Sequence, residues 1–130
     1  TGAQRIKEYP ANLLDEQGVF PQGFDVIWMS QFLDCFSEAQ IVAILQKAAA
    51  VMTLQTRLFI METFWDRQQY ETTALCLTMT SVYFTALANG NSKMYHSEDM
   101  ARLIAQAGLK VVTTHDGIGR GHSILEISLP

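Results

Sequence analysis

The sequence lacks the features that would place it in several large classes of protein. It has only two cysteines, Cys35 and Cys76, which form no CxxC pattern and have no histidines at ligand spacing. We therefore expect reduced thiols in a cytoplasmic protein, and no metal site. Lysine and arginine are scattered, and the net charge of −4 gives no basic stripe. No nucleic-acid partner is expected from such a charge pattern.

Long apolar runs and targeting signals are also missing. The longest apolar region, 74–88, is interrupted by threonine and serine and is shorter than the roughly 20 residues that a membrane-spanning helix needs. No signal peptide is visible, so we expect no membrane partner. The sequence does have 48% apolar residues among 130, enough for one domain with a real core. It begins without methionine, which suggests part of a longer protein.

Alternating and helical patterns of apolar residues predict five strands and three helices. Ser37 and Gln40 form a capping box at the first helix, and Ser97 is expected to cap the third. The second helix is apolar nearly all round, which predicts burial on more than one face. The order of elements predicts an α/β fold with a mostly parallel sheet, a final antiparallel strand and helices on both faces. The expected strands cover about 5–9, 25–30, 57–62, 109–114 and 122–129, and the helices about 37–51, 71–88 and 97–107.

The stretch from Phe24 to Glu38 reads as a strand, a loop and a capped helix. In open α/β sheets, ligands bind outside the carboxyl ends of the strands, so a site is expected at this loop. Asp34 and Glu62 each follow a predicted parallel strand and should share that rim. Such carboxylates can accept hydrogen bonds from a ligand or act as a base. Alternatively, Asp34 caps its loop and Glu62 binds a nearby backbone N–H.

Several apolar side chains belong to the same candidate site. Phe36, Phe64 and Trp65 follow the same two strands and could stack on a flat ligand or cover the core. Met79 and Tyr83, four residues apart on the second helix, share one face, which suits core packing or the lining of a pocket.

Two other patterns are weaker than they look. The glycines of 117–121 resemble the start of a phosphate-binding motif, but they lead into a strand and not into a helix, which indicates a hairpin connection. The three histidines lie at element boundaries, and no G-x-S-x-G elbow exists to support a serine nucleophile.

Three segments together carry a resemblance to a known family. They are Ala11-Asn12-Leu13-Leu14, Asp34-Cys35-Phe36-Ser37-Glu38 and the late helix 97–108. With the closing hairpin, they resemble the catalytic domain of the S-adenosylmethionine-dependent small-molecule O-methyltransferases, which have a Rossmann-like class I methyltransferase fold. Residues 1–130 would form the C-terminal part of that domain.

The resemblance implies a cofactor, S-adenosyl-L-methionine, and a small, possibly aromatic, acceptor. It also implies a homodimer in the full-length protein. Asp34 and Glu62 would be catalytic. The cofactor would contact Asn12, Leu13, Ser30, Gln31 and Phe36, and the acceptor would contact Phe64, Trp65, Met79 and Tyr83.

The sequence departs from the family at important positions. The catalytic histidine of the family falls on Asp34, and its second supporting acid falls near Met94. An aspartate of ordinary pKa is a poor base for a phenol unless burial raises its pKa. The glycine-rich cofactor loop is not in this sequence, so we expect the 130 residues alone to bind the cofactor weakly or not at all.

Two other functions are alternatives to methyl transfer. A degenerate methyltransferase-like module that binds a ligand or partner without catalysis is the main alternative, because the histidine and the second acid are missing. Half of a nicotinamide-binding oxidoreductase is disfavoured by the closing hairpin and by the lack of a catalytic Tyr-Lys or Cys pattern.

Overall fold

The computed structural model describes residues 2–130, with side chains from residue 4 onward. The strands are β1 (Val26–Ser30), β2 (Arg57–Glu62), β3 (Lys110–Ile118) and β4 (His122–Ser128). The helices are α1 (Glu38–Val51), α2 (Glu71–Tyr83) and α3 (Ser97–Gln106). Short 3₁₀ turns occupy Gly2–Arg5, Leu33–Cys35 and Trp65–Arg67, and a π-helical turn, Phe84–Ala88, continues α2.

The four strands form one sheet in the order β1-β2-β4-β3. β1 pairs parallel to β2, whereas β4 is inserted antiparallel between β2 and β3. Three strands therefore run in one direction and the last runs against them, which confirms the predicted sheet directions. The glycine-rich segment is a hairpin connection, as predicted, although β3 extends to Ile118 and keeps its pairing through two irregularities in register.

The predicted strand at 5–9 is wrong. These residues form the end of a 3₁₀ turn and then irregular chain. They pair with neither open edge of the described sheet, β1 or β3, and Ile6 and Tyr9 remain 76% and 58% exposed. A strand needs partners for its backbone N–H and C=O groups, and none is supplied here.

The core lies on one face of the sheet, beneath α1 and α3. Alternate residues of β2, Leu58 and Ile60, face it and are completely buried. The other face carries Trp28 and Phe59, whose rings lie 5.9 Å apart, and no helix of the described residues covers Trp28, which is 53% exposed. The core is formed by the side chains of Met29, Leu33, Ile41, Ile44, Leu45, Ala48, Leu58, Ile60, Phe64, Met100, Leu103, Ile104, Leu125 and Ile127, with smaller contributions around them.

Helix caps agree with the sequence at α1 and differ by one residue at α3. The side chain of Ser37 accepts from the backbone N–H of Gln40, whose own side chain accepts from the backbone N–H of Ser37, so the capping box is complete. At α3 the cap is His96, whose Nδ1 accepts from the N–H of Glu98 at 3.1 Å. Ser97 is the first helical residue, and its N–H and hydroxyl both donate to Asp66.

The expected burial of α2 is wrong for the described chain. None of its residues is buried, because it contacts chiefly the turns on either side of it. Three hydroxyls on α2 donate to the carbonyl four residues earlier, which leaves the helix surface more apolar than its composition suggests. No helix among the described residues is long and apolar enough to cross a membrane. The exposed apolar side chains of α2 and of the π-helical turn after it are Leu75, Met79, Val82, Tyr83 and Leu87, each 55–76% accessible.

Candidate functional site

The loop that follows β1 is held in place by Glu62, the last residue of β2. One carboxylate oxygen, Oε1, accepts from the backbone N–H groups of Phe32 and Leu33, both at 2.8 Å. The other oxygen lies 3.4 Å from Nε2 of Gln31. Because β1 and β2 are parallel neighbours, their carboxyl ends meet at one rim, and Glu62 anchors the loop from there.

The environment of Glu62 favours its neutral form. Only 3% of the residue is exposed, and burial raises its pKa to about 7, with the nearby charge of Asp34 adding to the rise. The backbone N–H groups of the loop oppose this change without cancelling it. A carboxyl group with such a pKa can gain or lose a proton near neutral pH.

Gln31 adopts a backbone conformation that is uncommon for a residue with a side chain. Its φ is +48°, in the left-handed region that costs an L-residue roughly 1 kcal/mol or more. Its N–H donates to the carbonyl of Met61 at 2.9 Å, and its side chain reaches Glu62. The last two residues of β2, Met61 and Glu62, therefore hold the backbone and the side chain of Gln31, respectively.

Asp34 lies in the 3₁₀ turn that the anchored loop forms. It is only 9% exposed, and burial raises its pKa, against the effect of the Cys35 thiol, which donates to Oδ1 at 3.5 Å. The carbonyl of Asp34 accepts from the N–H of Lys93 at 3.0 Å. Two carboxyl groups with raised pKa thus lie together at the rim, and each can accept a hydrogen bond or take up a proton more readily than an ordinary acid.

The far side of the loop is fixed by Tyr95. Its hydroxyl donates to the carbonyl of Phe36 at 2.9 Å, and Lys93 lies over its ring at 4.7 Å. Burial raises the pKa of Tyr95 to about 12, so the phenol remains a donor at neutral pH. The loop after β1 is therefore held from both ends.

An apolar cavity of about 450 Å³ opens beside this loop, at the carboxyl end of β1. Its size falls within the range of small-molecule sites. Aromatic and aliphatic walls with one hydroxyl suit a flat, largely apolar group. The cavity is lined by Leu13, Phe20, Ile27, Trp28, Met29, Ser30 and Phe32.

Two of the five predicted cofactor residues, Leu13 and Ser30, meet in this cavity. Phe36 contacts the cavity residue Phe32, and the two rings are edge-on with their centroids 5.0 Å apart. Gln31 turns instead to Glu62, and Asn12 lies outside the lining, where its Oδ1 accepts from the N–H of Leu14 at 3.1 Å. The cofactor contacts of these residues remain predictions.

The predicted acceptor residues are dispersed. Phe64 is completely buried in the core, so its ring has no surface to offer a ligand. Its role is core packing, which the sequence had left open as the alternative to ligand stacking. Trp65 is 38% exposed and lies edge-on to His96 at 4.9 Å. Met79 and Tyr83 share the exposed face of α2 and line neither of the two described cavities. An acceptor contact by these three side chains remains a prediction.

Sequence reasoning missed three aromatic side chains of the cavity, Phe20, Trp28 and Phe32. Trp28 lies within the predicted strand 25–30, and its place in the alternation of β1 puts it on the face opposite Met29. Phe20 lies in a turn-rich segment, where no periodic pattern marks it. Only the packing of that segment against β1 brings its ring to the site.

No family model matches the sequence, and no curated protein matches it. Solved structures do match. The mitomycin 7-O-methyltransferase MmcR aligns with a TM-score of 0.81 and 21% identity, over 98% of this chain and 35% of its own.

Two further solved structures extend this similarity. NcsB1, an O-methyltransferase from neocarzinostatin biosynthesis in complex with S-adenosyl-L-homocysteine and 1,4-dihydroxy-2-naphthoic acid, aligns with a TM-score of 0.73 and 21% identity, over 92% of this chain and 33% of its own. A structure described as a pericyclic reaction enzyme aligns with a TM-score of 0.75 and 21% identity, over 94% of this chain and 30% of its own.

The chain spans about a third of the length of these solved chains. The sheet order, the closing antiparallel hairpin and the nearly complete superposition on MmcR agree with one another. The chain therefore has the same α/β fold as the third of these solved O-methyltransferase chains that it covers.

Proposed function

We propose that this chain is the C-terminal part of a methyltransferase catalytic domain that transfers a methyl group from S-adenosylmethionine to a small, aromatic acceptor. The observation that carries the proposal is the superposition of 98% of the chain on MmcR. The cavity at the carboxyl end of β1, where that fold class binds its ligands, supports it.

The cofactor fits the residues present on its adenine side. A purine ring is flat and largely apolar on its faces, which suits the walls formed by Leu13, Trp28 and Phe32, and Ser30 supplies a hydroxyl at the strand end. When bound, S-adenosylmethionine supplies an electrophilic methyl group. In NcsB1 the same fold holds S-adenosyl-L-homocysteine.

The two carboxyl groups of the rim take separate roles in this proposal. Glu62 positions the loop by accepting two backbone N–H groups. Asp34, whose pKa is raised by burial, accepts a hydrogen bond from the acceptor and orients its nucleophilic atom. Methyl transfer depends mainly on alignment of that atom with the methyl carbon, so an aspartate can serve where the family resemblance has histidine.

The test is a methyl-transfer assay on the intact protein, with S-adenosylhomocysteine formation as the readout and a panel of hydroxylated and amino-substituted aromatic acids as acceptors. We expect Asp34→Asn to lower kcat/KM by about tenfold, because a neutral amide oxygen accepts a weaker hydrogen bond than a carboxylate does. Asp25→Asn, an exposed aspartate before β1, is the matched control and should retain activity. Equal activity of the two variants would show that Asp34 has no role in the reaction.

A second candidate is ligand binding without methyl transfer. The aspartate at position 34 favours it, and a solved structure with the same fold is described as a pericyclic reaction enzyme. The two candidates differ in one measurement. Calorimetry that detects S-adenosylmethionine binding by the intact protein, with no S-adenosylhomocysteine formed from any acceptor, would favour this second function.

We further propose that the intact protein is a cytoplasmic homodimer. The exposed apolar side chains of α2, among them Met79 and Val82, support an interface with a second copy. Sedimentation of the intact protein should give a dimer, and Val82→Lys should shift it to monomer. A monomer at micromolar concentration in the unaltered protein would overturn this part of the proposal.

A further inference from the structure

A second cavity, of about 780 Å³, lies on the hairpin side of the molecule. It is bounded by the turn Trp65–Arg67, the beginning of α2 and the connection between β3 and β4. None of its lining residues belongs to the apolar cavity beside β1. Its volume is suited to a small organic molecule, and its walls carry two arginines, Arg67 and Arg120, and the ring of Tyr70.

The walls of this hairpin cleft are tied together by hydrogen bonds. Nε2 of Gln68 donates to the carbonyl of Phe64 at 2.7 Å and to the carbonyl of Gly121 at 2.8 Å. Arg67 reaches across to Asp116 with an N–O distance of 2.6 Å. The cleft is therefore built into the fold, because these contacts join segments about 50 residues apart in the chain.

The two acidic residues of the cleft already have donors. Oδ1 of Asp66 accepts from the N–H of Ser97 at 2.8 Å, and its Oδ2 accepts from the hydroxyl of the same serine. Oδ2 of Asp116 accepts from Arg67, and its Oδ1 accepts from the hydroxyl of Ser123 at 2.7 Å. All four carboxylate oxygens are thus engaged by the protein.

Donors, in contrast, remain available. Within residues 4–130, Arg120 has no hydrogen-bonding or ionic partner, and Arg67 uses a single nitrogen, NH1, toward Asp116. The hydroxyls of Tyr70 and Thr73 also have no partner within that range. A guanidinium presents five N–H donors and no acceptor. Among the charged side chains of the cleft, the carboxylate oxygens are therefore engaged whereas guanidinium donors remain free, which matches a ligand group with several acceptor oxygens.

We propose that the hairpin cleft binds the carboxylate or phosphate group of a small aromatic anion, with Arg120 and Arg67 holding the charged group. Planar guanidinium groups bind such oxygens in pairs. The ring of Tyr70, 65% exposed at the cleft wall, packs against the aromatic part of the ligand. This inference concerns binding at the hairpin cleft and does not depend on methyl transfer at the other site.

Ligand-observed NMR titration of the intact protein without cofactor tests the proposal with three probes. They are 2-naphthoate, its neutral isostere 2-naphthamide, and inorganic phosphate. We expect 2-naphthoate to bind at least about tenfold more tightly than the amide, a ratio that one charge-assisted hydrogen bond provides. Arg120→Gln should weaken 2-naphthoate binding about tenfold and leave the amide unaffected.

Lys110→Gln is the matched control, because it removes an equally exposed positive charge from the other end of β3. It should leave all three affinities unchanged. Equal affinity for naphthoate and amide would overturn the proposal, as would an Arg120→Gln variant that binds naphthoate normally. Phosphate binding without naphthoate binding would overturn the assignment to an aromatic anion.

Discussion

Glu62 gives the most direct test of how the site is built. Glu62→Gln keeps the shape of the side chain and one acceptor oxygen for the N–H groups of Phe32 and Leu33, but it cannot ionise. The unaltered glutamate is buried, and its pKa is raised to about 7 from an ordinary value of 4.5. The folded protein therefore holds this proton over a pH range in which the unfolded chain has released it.

The sign and size of the effect follow from that difference. Between pH 4.5 and 7 the folded state binds more protons at this residue than the unfolded state, so the free energy of unfolding decreases as pH rises. The gap between about 7 and 4.5 corresponds to about 3 kcal/mol. Below pH 4.5 the neutral carboxyl and the glutamine should be nearly equivalent. Above pH 7 the Glu62→Gln variant should be the more stable by up to about 3 kcal/mol.

The assay is urea unfolding followed by circular dichroism at pH 5, 6, 7 and 8. Glu16→Gln, at an exposed position in a loop, is the control for loss of one negative charge and should follow the unaltered protein at every pH. The reasoning is refuted if the difference in unfolding free energy between Glu62→Gln and the unaltered protein stays constant from pH 5 to pH 8.

Three further predictions concern stability. Gly121→Ala places a Cβ against Oε1 of Gln68 at φ +98° and should lower the free energy of unfolding by about 2 kcal/mol or more. Gly119→Ala, whose Cβ would lie in open space at φ +58°, should lower it by only about 1 kcal/mol. Equal losses for the two variants in urea unfolding would contradict the contact with Gln68. Ser37→Ala removes half of a capping box and should lower the unfolding free energy by about 1 kcal/mol, and an unchanged urea midpoint would show that the cap is unimportant. Tyr95→Phe loses the hydroxyl that holds the loop after β1 and should cost about 1 kcal/mol and speed amide hydrogen exchange in that loop; unchanged exchange would contradict the role.

Local patterns predicted those parts of the fold whose causes are local. The capping box of α1 depends on two side chains three residues apart, and the rim position of Asp34 and Glu62 follows from strand direction alone. The strand at 5–9 failed because alternation says nothing about whether a partner strand exists. The burial of α2 failed for a related reason, since an apolar helix is buried only where other chain segments pack on it.

The alternative readings of Glu62 could not be separated from sequence for the same physical reason. Its hydrogen bonds reach Phe32 and Leu33, about 30 residues earlier in the chain, and no periodicity connects those positions. The reading in which Glu62 binds a nearby backbone N–H agrees with the structure, and the raised pKa adds a property that neither reading contained. A catalytic role for Glu62 remains a prediction.

The anchor at Glu62 also bears on the aspartate that stands where the resemblance places histidine. Glu62 binds backbone N–H groups and not the side chain at position 34, so the loop can keep its conformation when residue 34 changes. Asp34→Ala should therefore cost little in unfolding free energy, about 1 kcal/mol or less at neutral pH. Glu62→Ala leaves two N–H groups without an acceptor and should cost about 2–6 kcal/mol.

Asp34→Ala has a second, sharper consequence. The charge of Asp34 contributes to the raised pKa of Glu62, so its removal should lower that pKa. The pH-dependent loss of stability, which begins near the unfolded pKa of 4.5, should then end at a lower pH and be smaller. The Glu62 carboxyl carbon can be followed by ¹³C NMR through the titration in both proteins. A Glu62 pKa that is unchanged in Asp34→Ala would mean that the two carboxyl groups do not interact. A fall in that pKa, with the loop intact, would show that position 34 controls the chemistry of the site while Glu62 maintains its geometry.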